Sequence, residues 1–387
     1  MNNQELKSRF TELYGQGEEP SLFFAPGRIN LIGEHIDYNG GNVFPCALDF
    51  GTTAAARKRN DSKIKFASVN FPDILVEVDV NNIAYDKKDG WTNYPKGVVD
   101  QFLKKGFALG GFEVLYYGAI PNGAGLSSSA SIELVTCVLL KDFFNCEIDQ
   151  LEMVKLSQKV ENEFVGVNCG IMDQFAVGMG KKDRAIYLNC DTLEYEYVPV
   201  NLQGMKLIIA NTNKRRGLED SKYNERRREC DMAVAALQTR LDIDYLADLT
   251  PEVWEENKHL ITFETVRKRA EHAVYENARV KEAVAKLKQG DIIAFGKLLN
   301  ESHKSLRDLY EVTGFELDTL VEEAWKIDGV LGARMTGAGF GGCTISIVKE
   351  EAVNRFMRQV GENYEKKTGL KADFYIANIG DGARKLD

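Results

Sequence analysis

The stretch PNGAGLSSSASIEL, residues 121–134, carries the chain from a predicted strand through Gly123 and Gly125 into three serines and a helix. Just upstream, FEVLYYGAI (112–120) has strand character. Downstream, Ile132, Val135, Leu139 and Phe143 keep helical spacing while the other faces are also apolar, the pattern of a buried helix. Backbone N–H groups at a helix start are unpaired and partially positive, and glycines let an anion come close to them. Serine hydroxyls can donate to phosphate or ligate Mg2+, a hard cation that prefers oxygen. A capped helix after a turn needs one serine, not three behind Gly-Ala-Gly. The stretch reads as a phosphate site. It is not a Walker A loop, because no Gly-Lys-Ser/Thr follows.

Two further glycine-rich segments flank it in the chain. GRINLIGEHIDYNGG (27–41) sets Arg28, Glu34, His35, Asp37 and Tyr38 among four glycines. A structural turn needs the glycines alone; a recognition loop needs the charges too. GARMTGAGFGGC (332–343) contains a literal GxGxxG at Gly337, Gly339 and Gly342. A dinucleotide site requires a helix next, but the strand CTISIV follows, so the match is a decoy. The VAIK, HRD and DFG partners of a protein-kinase loop are missing as well. What remains is a glycine loop between strands, able to approach a ligand or the other domain, with a plain tight turn as the alternative. Glu161 lies on a helix whose apolar stripe is Met153, Leu156, Val160 and Phe164, and Asp173 follows NCGIM where another helix begins. Taken singly, the first reads as a solvated helix residue and the second as an acid favoured by the helix dipole.

At 387 residues the chain suggests two or three domains. A hydrophobic content of 44% with 28% charged residues fits a folded globular protein. The net charge of −9 argues against nucleic acid or an anionic membrane as the main partner, though not against an anionic small substrate. Seven scattered cysteines without a CxxC pair read as free thiols in a reducing compartment. MNNQELKSRF has no signal-peptide apolar stretch, and no apolar run nears the roughly 18 residues that span a bilayer. A cytoplasmic protein is expected. Strand-like stretches (SLFFAP, KIKFASVNF, ILVEVDV) dominate the first 120 residues. Beyond residue 200, MKLIIANT leads into charged helices and then into a mixture of helices and strands. That order favours α+β domains over a doubly wound sheet, with a soft boundary dividing 1–200 from 201–387.

Together the three glycine-rich segments resemble the motifs of the GHMP small-molecule kinases, the superfamily of galactose, homoserine, mevalonate and phosphomevalonate kinases. GAGLSSSAS is similar to the second motif and GARMTGAGFGG to the third. GRINLIGEHIDYNGG, followed by VFPCAL, resembles the signature of the galactokinase family. So do NCGIMDQF (168–175), DSKYNERRREC (220–230) and SHKSLRDLYEVTGFELDTLV (302–321). Six segments in order cover essentially the whole chain. One departure is Ile36, which stands where galactokinases usually carry threonine.

The resemblance implies two α+β domains with the active site in the cleft between them, and transfer of the γ-phosphate of ATP to the C1 hydroxyl of galactose. By the same resemblance Glu34, His35, Ile36 and Asp37 line the sugar pocket, Tyr223 is a further sugar contact, and Gly170 supplies backbone beside it. Gly123, Ala124, Gly125, Leu126, Ser127, Ser128 and Ser129 surround the ATP phosphates, and Ser68 touches the nucleotide. Ser129 and Glu161 ligate Mg2+. Asp173 orients or deprotonates the reacting hydroxyl, and Arg28 holds that aspartate and offsets developing charge. Galactose and ATP are the expected partners, with no nucleic acid or membrane, in a monomer or weak homo-oligomer. Rival readings are a non-catalytic galactose and ATP sensor, or a kinase for N-acetylgalactosamine or a related sugar. The uninterrupted GLSSSAS and the two carboxylates favour catalysis.

Overall fold

A computed structural model of the chain describes residues 1–121, 123–214 and 219–386. Its strands are β1 (Ser21–Asn30), β2 (Asn42–Val43), β3 (Pro45–Lys58), β4 (Lys63–Ser68), β5 (Val76–Asp79), β6 (Phe112–Gly118), β7 (Arg184–Asn189), β8 (Tyr195–Pro199), β9 (Met205–Asn211), β10 (Val330–Thr336), β11 (Cys343–Lys349), β12 (Asp373–Ala377) and β13 (Arg384–Lys385). The largest sheet has the order β13-β1-β3-β6-β4-β5. Its pairs are antiparallel except β4 beside β6. A second sheet, β10-β11-β9-β12, is antiparallel throughout, and β2-β7-β8 form a small third one.

The long strand β3 runs through the middle of the first sheet on small residues. Ala54 and Ala56 are buried in the same core as the helix Ser128–Phe144, and their size lets that helix come close. Ser131 fixes that approach: its hydroxyl donates to the Ala25 carbonyl at 2.8 Å and accepts from the Thr52 amide at 3.2 Å. The last serine of the glycine–serine stretch therefore fastens the helix start to the sheet and is not available to a ligand.

One apolar core is continuous from Phe23 in the first sheet, through Leu134 and Val280 on helices, to Ile345 in the second sheet. A separate cluster of Leu320, Val321, Phe356, Val360 and Tyr364 lies under the helices Gly314–Trp325 and Val353–Thr368. The helix Glu264–Lys288, charged in sequence, buries Val266, Ala270, Ala273, Val280 and Leu287. It also buries His272, Glu276 and Asn277. Those polar residues on the inner face become important at the site.

Residue 200 falls between β8 and β9, yet the chain does not end where the second sheet ends. The Gly380 amide donates to the Ala47 carbonyl at 3.0 Å, and β13 pairs with β1. The last residues of the expected second domain thus belong to the first sheet. Two α+β halves result, with the three glycine-rich segments meeting between them.

Candidate active site

Arg28 sits where the pairing of β1 with β3 slips between Pro26 and Arg28, a bulge that re-aims the side chain. Its Nε and Nη2 donate to the two carboxylate oxygens of Asp173 at 2.8 and 2.7 Å, and Nη1 donates to the Gly125 carbonyl at 2.7 Å. This bidentate fork fixes the plane of the carboxylate as well as its position. Asp173 opens the helix Met172–Met179, so it also sits at a partially positive helix end. Ser127, in the left-handed region at φ 60°, donates its hydroxyl to Asp173 Oδ2 at 2.6 Å.

The second glycine segment is therefore built differently from a bare phosphate cradle. Its Gly125 and Leu126 carbonyls accept from Arg28, and its Ser127 hydroxyl serves Asp173. The side chains of Ala124 and Leu126 are buried in the core. What this loop can offer a phosphate is backbone N–H, with the exposed Gly123 at its tip and Ser128 and Ser129 at the helix start.

One cavity is lined by Arg28, Glu34, His35, Asp37, Ser129, Glu161, Gly170, Asp173 and Tyr223, all anticipated from sequence. Val167, Cys169, Met172, Gln174, Asn224, Gly337 and Ala338 complete its walls without having been anticipated. Ile36 is not on the wall. It is wholly buried in the core beneath the loop, where an apolar side chain is at home and a hydroxyl would need a partner.

The carboxylates of the cavity differ in what they have left to give. Glu34 accepts from Asn30 Nδ2 at 2.6 Å and from the Gly337 amide at 2.8 Å, and it meets Arg334 Nη2 at 2.7 Å. Burial pushes its carboxyl up, while Arg334 and the Gly337 amide pull it down. Asp37 is half-buried and carries no such set of side-chain partners. Desolvation, and then the charge of Asp173, push its carboxyl up to about 6. Gly170 is pressed against it: a Cβ there would stand 1.9 Å from Asp37 Oδ2. Both ring nitrogens of His35 are engaged by protein, with Tyr38 at 2.9 Å and the Ala338 carbonyl at 3.1 Å.

Glu161 lies on a π-helical turn, Val160–Val165, that continues the helix Gln150–Lys159. Such turns redirect side chains that a regular helix would leave elsewhere. Glu161 is 6% exposed and accepts from Gln174 Nε2 at 3.1 Å. Burial pushes its carboxyl up to about 7, against a hydrogen bond from Ser129. Ser129 also borders a second, aromatic cavity lined by Ser68, Asn70, Phe71, Trp91, Tyr94 and Ile132. There Phe71 and Trp91 stack with ring centroids 6.4 Å apart, and the buried Trp91 indole N–H has no hydrogen-bond partner among the described residues. These flat apolar walls suit a purine base. Of the residues lining this cavity, Ser68, Ser128 and Ser129 belong to the nucleotide contacts expected from sequence.

Residues 8–58 match the galactokinase galactose-binding signature, residues 93–181 the N-terminal domain of GHMP kinases and residues 283–366 their C-terminal domain. The chain is 59% identical to a galactokinase of Fusobacterium nucleatum and 55% identical to one of Bacillus subtilis, over 99% of each chain. It belongs to the galactokinase family of GHMP kinases. Lactococcus lactis galactokinase in complex with galactose superposes with a TM-score of 0.97 at 51% identity over 99% of both chains. Methanococcus jannaschii mevalonate kinase shares the fold, with a TM-score of 0.68 at 20% identity over 96% of this chain and 100% of its own.

Within the matched signature lie Arg28, Glu34 and Asp37, and within the N-terminal domain match lie the second glycine segment, Glu161 and Asp173. For Mg2+ the oxygen donors of Ser129 and Glu161 fit a hard cation. Among the described residues no group of three or more His, Cys, Asp or Glu is placed to hold a metal. A hard cation bound by one or two protein oxygens and by phosphates needs no such cage.

Two outcomes follow from the geometry. Gly170→Ala should drive Asp37 out of the cavity and raise the KM for galactose by about tenfold or more, the scale of about 1–3 kcal/mol for overpacking, while leaving ATP affinity near that of the parent. Steady-state kinetics on both substrates check this. Secondly, the folded state holds a proton on Glu161 that the unfolded chain releases at the ordinary carboxyl range. The stabilisation is complete below that range and is lost as pH rises through about 7. Ligand-free Glu161→Gln should match the parent in thermal midpoint near pH 4.5 and exceed it at pH 8 by on the order of 2–4 °C. Melting curves across that range decide it.

Proposed function

We propose that the chain transfers the γ-phosphate of ATP to the C1 hydroxyl of D-galactose, giving galactose 1-phosphate and ADP. The observation that carries this reading is the shared wall at Ser129. On one side lies the cavity with the Arg28–Asp173 pair, Asp37 and Tyr223; on the other lies the aromatic pocket. A sugar in the first and a nucleotide base in the second would bring their reactive ends together at the start of the helix Ser128–Phe144. The 51% identical enzyme that holds galactose supports the choice of sugar.

In this reading Asp37 accepts hydrogen bonds from sugar hydroxyls, since its oxygens are the least committed among the cavity carboxylates. Tyr223, with its ring centroid 5.6 Å from that of His35, forms another part of the wall. Asp173 accepts the hydrogen bond of the C1 hydroxyl, held in one orientation by Arg28 and Ser127. As the C1 oxygen forms its bond to the γ-phosphorus and the bond to ADP breaks, the hydroxyl proton passes to Asp173. Arg28 opposes the charge that builds up beside it. Phosphoryl transfer through a loose transition state depends mainly on such positioning and charge neutralisation. Ser129 and Glu161 would hold Mg2+, which supplies charge neutralisation on the phosphates. Backbone N–H groups of the segment 123–129 would meet the same phosphates, apart from that of Ala124, which donates to the Pro121 carbonyl at 3.2 Å.

The seven free cysteines and the acidic net charge support a cytoplasmic enzyme whose partners are small molecules. Among the described residues no helix is long and apolar enough to cross a membrane.

A panel of sugars with Mg-ATP, followed by ADP release, tests the activity. Galactose should turn over, and Asp173→Asn should lower kcat by about 10²- to 10⁴-fold, the usual contribution of a positioned base. Galactose binding without ADP release would make the parent chain a sensor. Near-parental kcat in a folded Asp173→Asn enzyme would remove Asp173 from the reaction.

A further inference from the structure

Two of the segments matched in the sequence, 220–230 and 302–321, contribute little to the cavity beyond Tyr223 and Asn224. Their innermost residues meet behind it. Cys230 Sγ lies 3.1 Å from Tyr310 Oη, Tyr310 Oη lies 2.7 Å from Tyr38 Oη, and Tyr38 Oη lies 2.9 Å from His35 Nδ1. His35 Nε2 then lies 3.1 Å from the Ala338 carbonyl in the third glycine segment. Cys230 and Tyr310 are wholly buried.

Only one arrangement of protons satisfies this chain. A carbonyl can only accept, so the His35 proton is on Nε2. Burial pushes the imidazole down to about 3, so the ring is neutral and Nδ1 is an acceptor. Tyr38 must therefore donate to Nδ1 and accept from Tyr310, which in turn accepts from the Cys230 thiol. Asn39 Nδ2 closes the far end, 3.6 Å from Cys230 Sγ. Aligned donors of this kind polarise one another in a low-dielectric interior. The backbone gives a second reason for a brace at this position. His35 has φ 62°, in the left-handed region, and a residue there persists only where its surroundings hold it.

We propose that Cys230, Tyr310 and Tyr38 form a one-way relay of hydrogen bonds that makes His35 a strut between the sugar loop and the third glycine segment, and that Tyr38 and Tyr310 are positioning residues for the galactose site. His35 then does not read the sugar with its ring nitrogens. It holds its neighbours Glu34 and Asp37 where a sugar meets them. The relay gives the segments 220–230 and 302–321 a shared task. It rests on the assignment of the cavity to galactose.

The test is Tyr310→Phe, which removes one oxygen and keeps the ring packed on His35 and His272. The chain has four histidines, so ¹⁵N-histidine spectra of the ligand-free protein can follow His35 directly. The parent should show the neutral Nε2–H form with a hydrogen-bonded Nδ1. Tyr310→Phe should move the Nδ1 signal towards that of a free ring nitrogen, although Tyr310 makes no hydrogen bond to His35. Tyr38→Phe should move it further. In kinetics, Tyr310→Phe should raise the KM for galactose about 3- to 10-fold, the worth of one net hydrogen bond, with kcat and the KM for ATP within about twofold of the parent. An unmoved Nδ1 signal in both variants overturns the relay. A moved signal with an unchanged KM for galactose, or equal losses in every kinetic constant, overturns the positioning role. Failure of the parent to phosphorylate galactose would strike the proposed function instead, and the ligand-free spectra would still decide the relay.

Discussion

The buried ion pair of Glu34 and Arg334 is the contact on which the arrangement of the site depends. Their side chains are 1% and 0% exposed, so both charges have lost nearly all contact with water. Desolvation on that scale exceeds the attraction of the pair alone and is offset by hydrogen bonds to the remaining donors and acceptors. Glu34 meets this through Asn30, Thr336 and the Gly337 amide, and Arg334 in part, through Nη1, which donates to the Asn30 and Leu31 carbonyls, each at 3.1 Å, while beyond the ion pair its buried Nε and Nη2 make no hydrogen bond among the described residues. One partner lies on the loop after β1 and the other on β10. The pair therefore dictates how the two halves of the chain meet more than it adds to stability.

Much else follows from that junction. With Gly337 drawn to Glu34, the third glycine segment comes against the second, so close that a Cβ on Gly337 would stand 2.9 Å from the Gly125 carbonyl. Gly125 holds Arg28, and Arg28 holds Asp173. The helix Glu264–Lys288 backs the same loop: Glu276 accepts from the Gly33 amide at 3.0 Å, Asn277 from the Asn42 amide at 2.9 Å, and His272 lies 3.1 Å from the Glu34 carbonyl. Crowding acids here has a cost. Glu133 is buried with neither carboxyl oxygen paired among the described residues, and burial beside Glu161 and Asp173 pushes its carboxyl well up. Such accumulations of perturbed groups are a mark of functional sites, where charge is arranged for a ligand at the expense of the empty fold.

The parts of this site that were legible in the sequence are those whose residue types are demanded locally. Glycines beside Arg28, Glu34 and Asp37, or serines behind Gly-Ala-Gly, have few uses other than recognition, and alternating apolar residues marked β4, β5 and β6. The parts that were not legible depend on partners far along the chain. His272, Glu276 and Asn277 read as the surface of a charged helix because the groups they bind lie 235 to 243 residues away. The strand β3 leaves no such mark, because its run of alanine, glycine and threonine has no apolar alternation; its neighbours make it a strand. Phe71 and Trp91 stand on separate short segments that only the fold stacks. Ser127 reads as a phosphate ligand from its place in the glycine–serine stretch, but its hydroxyl serves Asp173. The two-residue strand β13 is too short to leave any pattern.

A double-mutant cycle on the buried pair tests this account most directly, with thermal unfolding and calorimetric galactose binding measured on Arg334→Met, Glu34→Gln and the double variant. Removing one partner leaves the other charge buried and alone, a loss of about 3–5 kcal/mol, whereas removing both relieves much of that penalty. The account predicts that the double variant regains much of the stability lost by Arg334→Met but not galactose affinity, because the loop is no longer held in place. Additive losses of stability, or galactose affinity restored along with stability, would contradict it.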